Sequence, residues 1–273
     1  MGTLSHLTEP GCCLVAPLDL HGRSRWYTAG FAWVVVMLSG CGLSPVVASD
    51  PVPAEVTAIV VALVPDAALR AQALAINTRL RLETPRGYAF DATHQPHISV
   101  LQRYVLTADL DAVRTVVGQV VASEDPASWR LQTNERYAIP WDGTNLVSIM
   151  MEPSEPVLRF QRRLMDALAP YTVPLGTAAA FLTMPAEPPA SAATVAYVGR
   201  FVPDATGDQY NPHLSVGIGG DEQVRELLAE PVAALEVAPV GVAIYQLGDF
   251  GAARRELAAW RTSEFDRGGR ASE

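Results

Sequence analysis

Gln95-Pro96-His97-Ile98-Ser99-Val100 and Asn211-Pro212-His213-Leu214-Ser215-Val216 are two copies of one phrase, with His97 and His213 separated by 116 positions. Each opens on an amide residue and a proline, and a proline suits the start of a strand, where a missing N–H is tolerated. Successive side chains of a strand alternate between its faces. His97 and Ser99 therefore share one face and Ile98 and Val100 the other, and His213 and Ser215 stand in the same relation to Leu214 and Val216. The apolar pair anchors each strand; the polar pair is presented. Each copy precedes a helical pattern with an acidic cap, so the chain reads as a duplication around a pseudo-two-fold axis. Strand followed by helix suggests an α/β or α+β layer, and two such halves place one motif strand on each side of a central groove.

The flanking sequence supplies the other elements. The β-branched run Val56 to Val64, bounded by Pro65, predicts a buried strand. Asp66 is placed to cap a helix carrying Leu69, Ala73, Ile76 and Leu80 as one stripe. Thr107 or Asp109 opens a second helix with Leu110, Val113, Val117 and Val120, and Ser154 a third with Val157, Phe160, Leu164 and Leu168. Residues 129–138 and 145–151 read as strands around the turn Trp141-Asp142-Gly143-Thr144. Residues 172–194, rich in Ala and Pro and without a period, read as a long inter-lobe connection or a lid. Strands are expected at 195–202, 211–218 and 235–247, with a short helix capped by Asp221 and carrying Val224, Leu227 and Leu228.

Composition narrows the chemistry. Of 273 residues 49% are hydrophobic, enough for one large domain or two intimately packed halves. The net charge of −9 argues against a broad basic face for long nucleic acid and leaves a small anion in a local cleft. All 20 basic residues are Arg, which removes Schiff-base and lysine-nucleotidylation chemistry. Cys12, Cys13 and Cys41 all lie near the N-terminus, so the body has no thiol nucleophile, disulfide or Cys-ligated metal. His, carboxylates, hydroxyls and Arg remain.

Arg23 and Arg25 precede an uncharged apolar stretch from Trp26 to Leu38, then Ser39, Gly40 and Cys41. That order is basic region, apolar core, cleavage zone, and Leu38-Ser39-Gly40-Cys41 resembles the lipobox of bacterial lipoproteins. The resemblance implies lipidation of Cys41, export and anchoring to the cell envelope at its periplasmic face. Cleavage after Ala48, giving a soluble periplasmic protein, and an uncleaved membrane anchor are the alternatives. The expected organisation is a leader over 1–40, a tether over 41–55, the functional domain over 56–261 and a polar tail over 262–273.

Two imidazoles and two hydroxyls facing one another across a groove suit a phosphodiester. One neutral imidazole takes a proton from water or a hydroxyl, the other, protonated, gives one to the leaving oxygen, and the hydroxyls donate to the phosphoryl oxygens. No metal or covalent intermediate is required. Either His-x-Ser alone reads better as a half-buried strand residue; the pair, sharing Pro-His-aliphatic-Ser-Val, favours function. A rival reading takes His94, His97 and His213 as three metal ligands, but the spacing of His94 before a proline suits a loop.

These residues resemble the two-histidine phosphoesterase superfamily, which carries two His-hydrophobic-Ser/Thr-hydrophobic motifs on facing strands of a bilobal α+β fold. The fold class this resemblance implies is α+β: a bilobal, pseudo-two-fold duplicated fold with two antiparallel-rich sheets facing a central groove and helices outside. It includes bacterial RNA 2′,3′-cyclic phosphodiesterases, also called 2′-5′ RNA ligases, and eukaryotic cyclic nucleotide phosphodiesterases. The resemblance runs from Val56 to Trp260 and includes Val242 to Gly248 as the final core strand. It implies His97 and His213 as the acid/base pair and Ser99 and Ser215 as phosphate-binding hydroxyls, with Ser where many members have Thr. Gln102, Arg103, Tyr104 and Tyr210 become candidates to line the groove. It further implies a monomer that needs no cofactor and acts on a small phosphodiester, cyclic nucleotide or oligonucleotide. A non-catalytic envelope lipoprotein holding a phosphorylated ligand in the same groove is the alternative.

Overall fold

The computed structural model describes residues 55–261 apart from Arg86, Asp142, Ala186 and Ala233. The leader, Cys41, the tether as far as residue 54 and the tail over 262–273 lie outside the described residues. In chain order the elements are β1 (Val56–Val64), α1 (Ala67–Glu83), β2 (Ile98–Leu106), α2 (Leu110–Ala122), β3 (Leu131–Trp141), β4 (Thr144–Met151) and α3 (Glu155–Leu168). There follow β5 (Thr172–Val173), α4 (Ala192–Ala205), β6 (His213–Gly219), α5 (Asp221–Ala229), β7 (Glu236–Val237), β8 (Gly241–Leu247) and β9 (Ala253–Arg261).

The strands form two antiparallel sheets, ordered β5-β2-β1-β8-β9 and β6-β4-β3-β7. This is the expected α+β class. In both sheets the motif strand lies beside a strand from earlier in its own half: β2 beside β1, β6 beside β4. The helices cross over, so that α1 packs on β6 and α3 on β2. Ile59, Val61 and Leu63 of β1 join a core shared with α1, α2, α3 and the second sheet, while Ala58, Val60 and Ala62 join a separate cluster on the opposite face. A strand buried on both faces explains the unbroken apolar run of β1.

Local chemistry sets the element boundaries. The Asp66 carboxylate accepts from Leu69 N at 2.9 Å and from Ala238 N at 3.0 Å, capping α1 and tying down the chain ahead of β8. In the β3–β4 hairpin Trp141 pairs with Thr144, and Gly143 takes φ +75°, the left-handed region that makes Asp-Gly a hairpin signal.

Several expectations are corrected. Residues 195–202 form part of α4, not a strand: Thr194, Val198 and Phe201 are buried at helical spacing, and that period outweighs the β-branched content of the run. Its first turn is fastened by the Asp249 carboxylate, which accepts from Ser191 N at 3.0 Å and Thr194 Oγ1 at 2.5 Å. The stretch 235–247 is two strands on different sheets, β7 and β8, parted by Pro239 in a non-strand segment. Nor is β8 the final strand, since β9 follows and pairs with it. Residues 172–194 are no bare connection: β5 pairs with β2, and Phe181 stands edge-on to Tyr104 at 6.0 Å, both buried. Gly220 precedes α5, whose first residue is Asp221.

Candidate active site

Both motif strands are interrupted at the same place. Val61 pairs with Leu101 but Ala62 with Ser99, leaving Val100 as an extra residue; Val147 pairs with Gly217 but Ser148 with Ser215, leaving Val216 extra. A β-bulge of this kind re-aims the side chains beyond it. In β2 it buries Val100 and Leu101 together and brings Gln102 round to the face of Ser99. Gln102 Nε2 donates to Ser99 Oγ at 3.3 Å.

The four motif residues line one cavity between the sheets. His97 and Ser99 are half-buried while Ile98 and Val100 are fully buried, and the same alternation holds from His213 to Val216. His97 Nδ1 lies 2.9 Å from Gln95 O, and His213 Nδ1 lies 2.8 Å from Asn211 O. A carbonyl only accepts, so Nδ1 carries the hydrogen in both rings and Nε2 is the nitrogen with the lone pair in the neutral form. Ser215 Oγ is 3.2 Å from Ser148 Oγ, and Tyr210 donates its hydroxyl to Ser99 O at 3.0 Å.

Burial lowers the pKa of both histidines. His97 falls to about 4, chiefly through burial, with the nearby His213 charge adding and the bond to Gln95 O opposing. His213 is lowered by burial against the opposing bond to Asn211 O. Among the described residues lining this cavity none is Arg, Asp or Glu. A second cavity adjoins it, sharing His213 and Ser99 and extending past Ser148 to Tyr210, Asn211 and Asp204.

His94 lines the first cavity too, stacked on Tyr88 at 4.9 Å with the rings 4° apart. Its pKa falls to about 4 through burial and the charge of Arg254, against Asp91 and Glu187. Among the described residues no group of three His, Cys, Asp or Glu side chains is arranged to hold a metal ion. Of the other candidates, Gln102 lines the first cavity and Tyr210 the second. Arg103 and Tyr104 line neither, because the bulge turns Arg103 to the opposite face and Tyr104 is buried with its hydroxyl on Val195 O at 2.8 Å. Trp141, Tyr197, Phe250 and Ser148 are wall residues that the sequence reading missed. Phe250 is the one non-glycine among the described residues with positive φ, +57°, a backbone state concentrated at functional sites. An aromatic flanked by Asp249 and Gly251 is its only mark in the sequence.

The family model described as the 2′-5′ RNA ligase superfamily matches residues 64–249. No curated protein matches the chain. Among solved structures the chain is similar to TT0787 of Thermus thermophilus, at 16% identity and a TM-score of 0.42, over 75% of this chain and 97% of that one. It is similar also to E. coli LigT complexed with 3′-AMP (11% identity, TM-score 0.39, 77% and 99% covered) and with ATP (13%, 0.36, 76% and 98%). The matched stretch takes in more than half of the sequence and both repeated motifs, and the chain belongs to the 2′-5′ RNA ligase superfamily.

Proposed function

We propose that this protein hydrolyses a 2′,3′-cyclic phosphate or a related nucleotide or RNA phosphodiester, with His97 and His213 as an acid–base pair and without a metal. The observation that carries this reading is the matched pair of Nδ1 bonds, to Gln95 O and Asn211 O, which leaves two Nε2 atoms available in one cavity. We assign His97, whose pKa burial lowers to about 4, as the base: its neutral Nε2 takes a proton from water as the water oxygen bonds to phosphorus. His213, protonated once the anion is bound, gives its proton to the leaving oxygen as the P–O bond breaks. Ser99 and Ser215 donate to the non-bridging oxygens, oriented by Gln102 and Ser148. With a hydroxyl in place of water as the nucleophile, the same groups would join that hydroxyl to a cyclic phosphate as the ring P–O bond breaks.

One observation favours a second reading, a non-catalytic binder of phosphorylated ligands: both imidazoles are shifted toward neutrality, so neither is a ready proton donor before an anion arrives. Turnover decides between the two. The purified full-length chain is incubated with EDTA and a panel of cyclic and linear nucleotides. The enzymatic reading requires product release that survives chelation and is lost in His97→Ala and in His213→Ala. Ligand-induced thermal stabilisation without product would support the binder.

The N-terminal sequence supports a place for this activity at the periplasmic face of the envelope, anchored through Cys41. Radiolabelled palmitate incorporated into the wild type and absent from Cys41→Ala is the expected result; equal labelling would overturn it.

A further inference from the structure

Helices α1 and α3 each carry one amide in the buried stripe. Asn77 follows Ile76 in α1 and is 2% exposed; Gln161 follows Phe160 in α3 and is fully buried. Both amides reach the same point of the duplicated fold. Asn77 Nδ2 donates to Val216 O at 2.9 Å, and Gln161 Nε2 donates to Val100 O at 2.8 Å. Val216 and Val100 are the two bulge residues, each immediately after its motif serine.

A bulge leaves a carbonyl outside the ladder, and a buried carbonyl without a donor is destabilising. Each amide satisfies that carbonyl from the half of the chain that does not contain it. The remaining bonds run to the approach to the helix's own motif. Asn77 also donates to Tyr88 O at 2.9 Å and accepts from Phe90 N at 3.4 Å, fixing two wall residues of the cavity. Gln161 accepts from Gly207 N at 2.9 Å and donates to Ala205 O at 3.4 Å, fixing the segment that leads to Tyr210 and His213. One planar amide thus ties the cavity wall of its own half to the bulge of the other.

We infer that Asn77 and Gln161 are crossed positioning residues: Asn77, in the first half, sets the placement of His213 and Ser215, and Gln161, in the second half, sets that of His97 and Ser99. Neither touches the reacting atoms. The contribution to turnover rests on the acid–base reading above, whereas the crossed placement rests on geometry alone. An offset of about 1 Å in a reacting group costs on the order of a hundredfold in rate, and the bulge is the joint through which a helix shift reaches each histidine.

The test uses the full-length chain labelled with ¹⁵N and ¹³C, and the near-isosteric variants Asn77→Asp and Gln161→Glu, which remove the donating N–H groups. Imidazole ¹H–¹⁵N correlation spectra give a readout that general loosening would not reproduce. Asn77→Asp is expected to shift the His213 ring signals and leave those of His97 in place, with Gln161→Glu doing the reverse. In turnover assays each variant lowers kcat on the order of ten- to a hundredfold while KM stays within about twofold. Shifts confined to the histidine of the variant's own half, equal shifts in both rings, or no shift would overturn the inference. If an acid variant fails to fold, the volume-matched Asn77→Leu or Gln161→Met replaces it. The unmutated chain gives an independent check: scalar coupling across the hydrogen bond from each side-chain amide nitrogen to the Val216 or Val100 carbonyl must be present, and its absence overturns the assignment. Crossed shifts without turnover on any substrate would retain the placement and refute the phosphodiesterase reading; turnover with uncrossed shifts would do the opposite.

Discussion

The motif strands β2 and β6 agree in how they hold the Nδ1 atoms of their histidines and differ in what surrounds the serines. Both carry the imidazole bonded to the carbonyl two residues back, and both bulge after the serine. Beyond that point they part. Ser99 faces Ala62 across the ladder and takes its hydrogen bond from Gln102; Ser215 faces Ser148, and the position equivalent to Gln102 is the apolar Ile218. The residue after the bulge is Leu101 in one half, and in the other Gly217, with φ +150°. What the duplication kept identical is the Nδ1 bond of each imidazole and the bulge behind each serine. What diverged is the set of partners around the two serine hydroxyls and the packing under them, so on the proposed reading the two sides of the cavity would hold a bound anion differently.

The largest effect should come from separating the two histidines by role. His97→Ala is expected to lose about a hundred- to ten-thousandfold in kcat on any diester. His213→Ala should lose as much with an alkyl alcohol as leaving group and recover most of it with p-nitrophenolate, which departs without a proton. Equal rescue of both variants would erase the assigned difference between base and acid. Next come the serines. Ser99→Ala is expected to cost on the order of a hundredfold in kcat, as for the loss of a donor to a developing oxyanion. Ser215→Ala should cost less, because the Ser148 hydroxyl lies 3.2 Å from the missing oxygen; the Ser148→Ala, Ser215→Ala double variant should restore parity.

A subtler contrast concerns protons. With both imidazoles lowered from 6.5, the state holding one proton is most populated below that pH, so kcat/KM should peak on the acidic side of 6.5. Stability follows the same sign. Between pH 6.5 and about 4 the unfolded chain binds protons that folded His97 refuses, so the contribution of His97 is complete above 6.5 and is lost as pH falls toward 4. Tm measured over that window should drop on acidification, and His97→Gln should flatten the slope. The smallest change is expected at the bulge. Gly217→Ala meets Leu80 Cδ1 at 3.0 Å in a backbone state alanine adopts with strain, and should cost about 1–3 kcal/mol in chemical denaturation while leaving KM intact.

How much of this the sequence revealed follows from what kind of information each feature carries. The repeated Pro-His-aliphatic-Ser-Val phrase has a period of two, and that period alone separates the presented faces from the buried ones. The stripes of α1 and α3 were equally legible, since Leu69, Ala73, Ile76 and Leu80, and Val157, Phe160, Leu164 and Leu168, are all buried. The amides embedded in those stripes were not, because Asn77 and Gln161 matter through carbonyls 139 and 61 positions away. The bulges were invisible for a related reason: a bulge belongs to a pair of strands, and its partners β1 and β4 lie far off in the chain. The short run from Val195 to Val202 favours either element by composition, and the choice of helix is made by Asp249 and the apolar surface beneath. Trp141, Tyr197 and Phe250 reach the cavity from three separate segments, which no local pattern announces.

A cavity whose described lining holds no Arg, Asp or Glu, in a chain of net charge −9, offers an approaching anion little long-range pull. The field of the whole molecule opposes the approach instead. Added salt shortens the Debye length from about 30 Å at 0.01 M to about 8 Å at 0.15 M and so screens that repulsion. Capture of a phosphodiester should therefore quicken as ionic strength rises, the reverse of proteins whose affinity comes from displaced counterions. On the proposed reading a long polyanion, repelled along its whole length, should be captured more slowly than a compact monoanion. Selection by size would then begin in the solvent, before any side chain is touched.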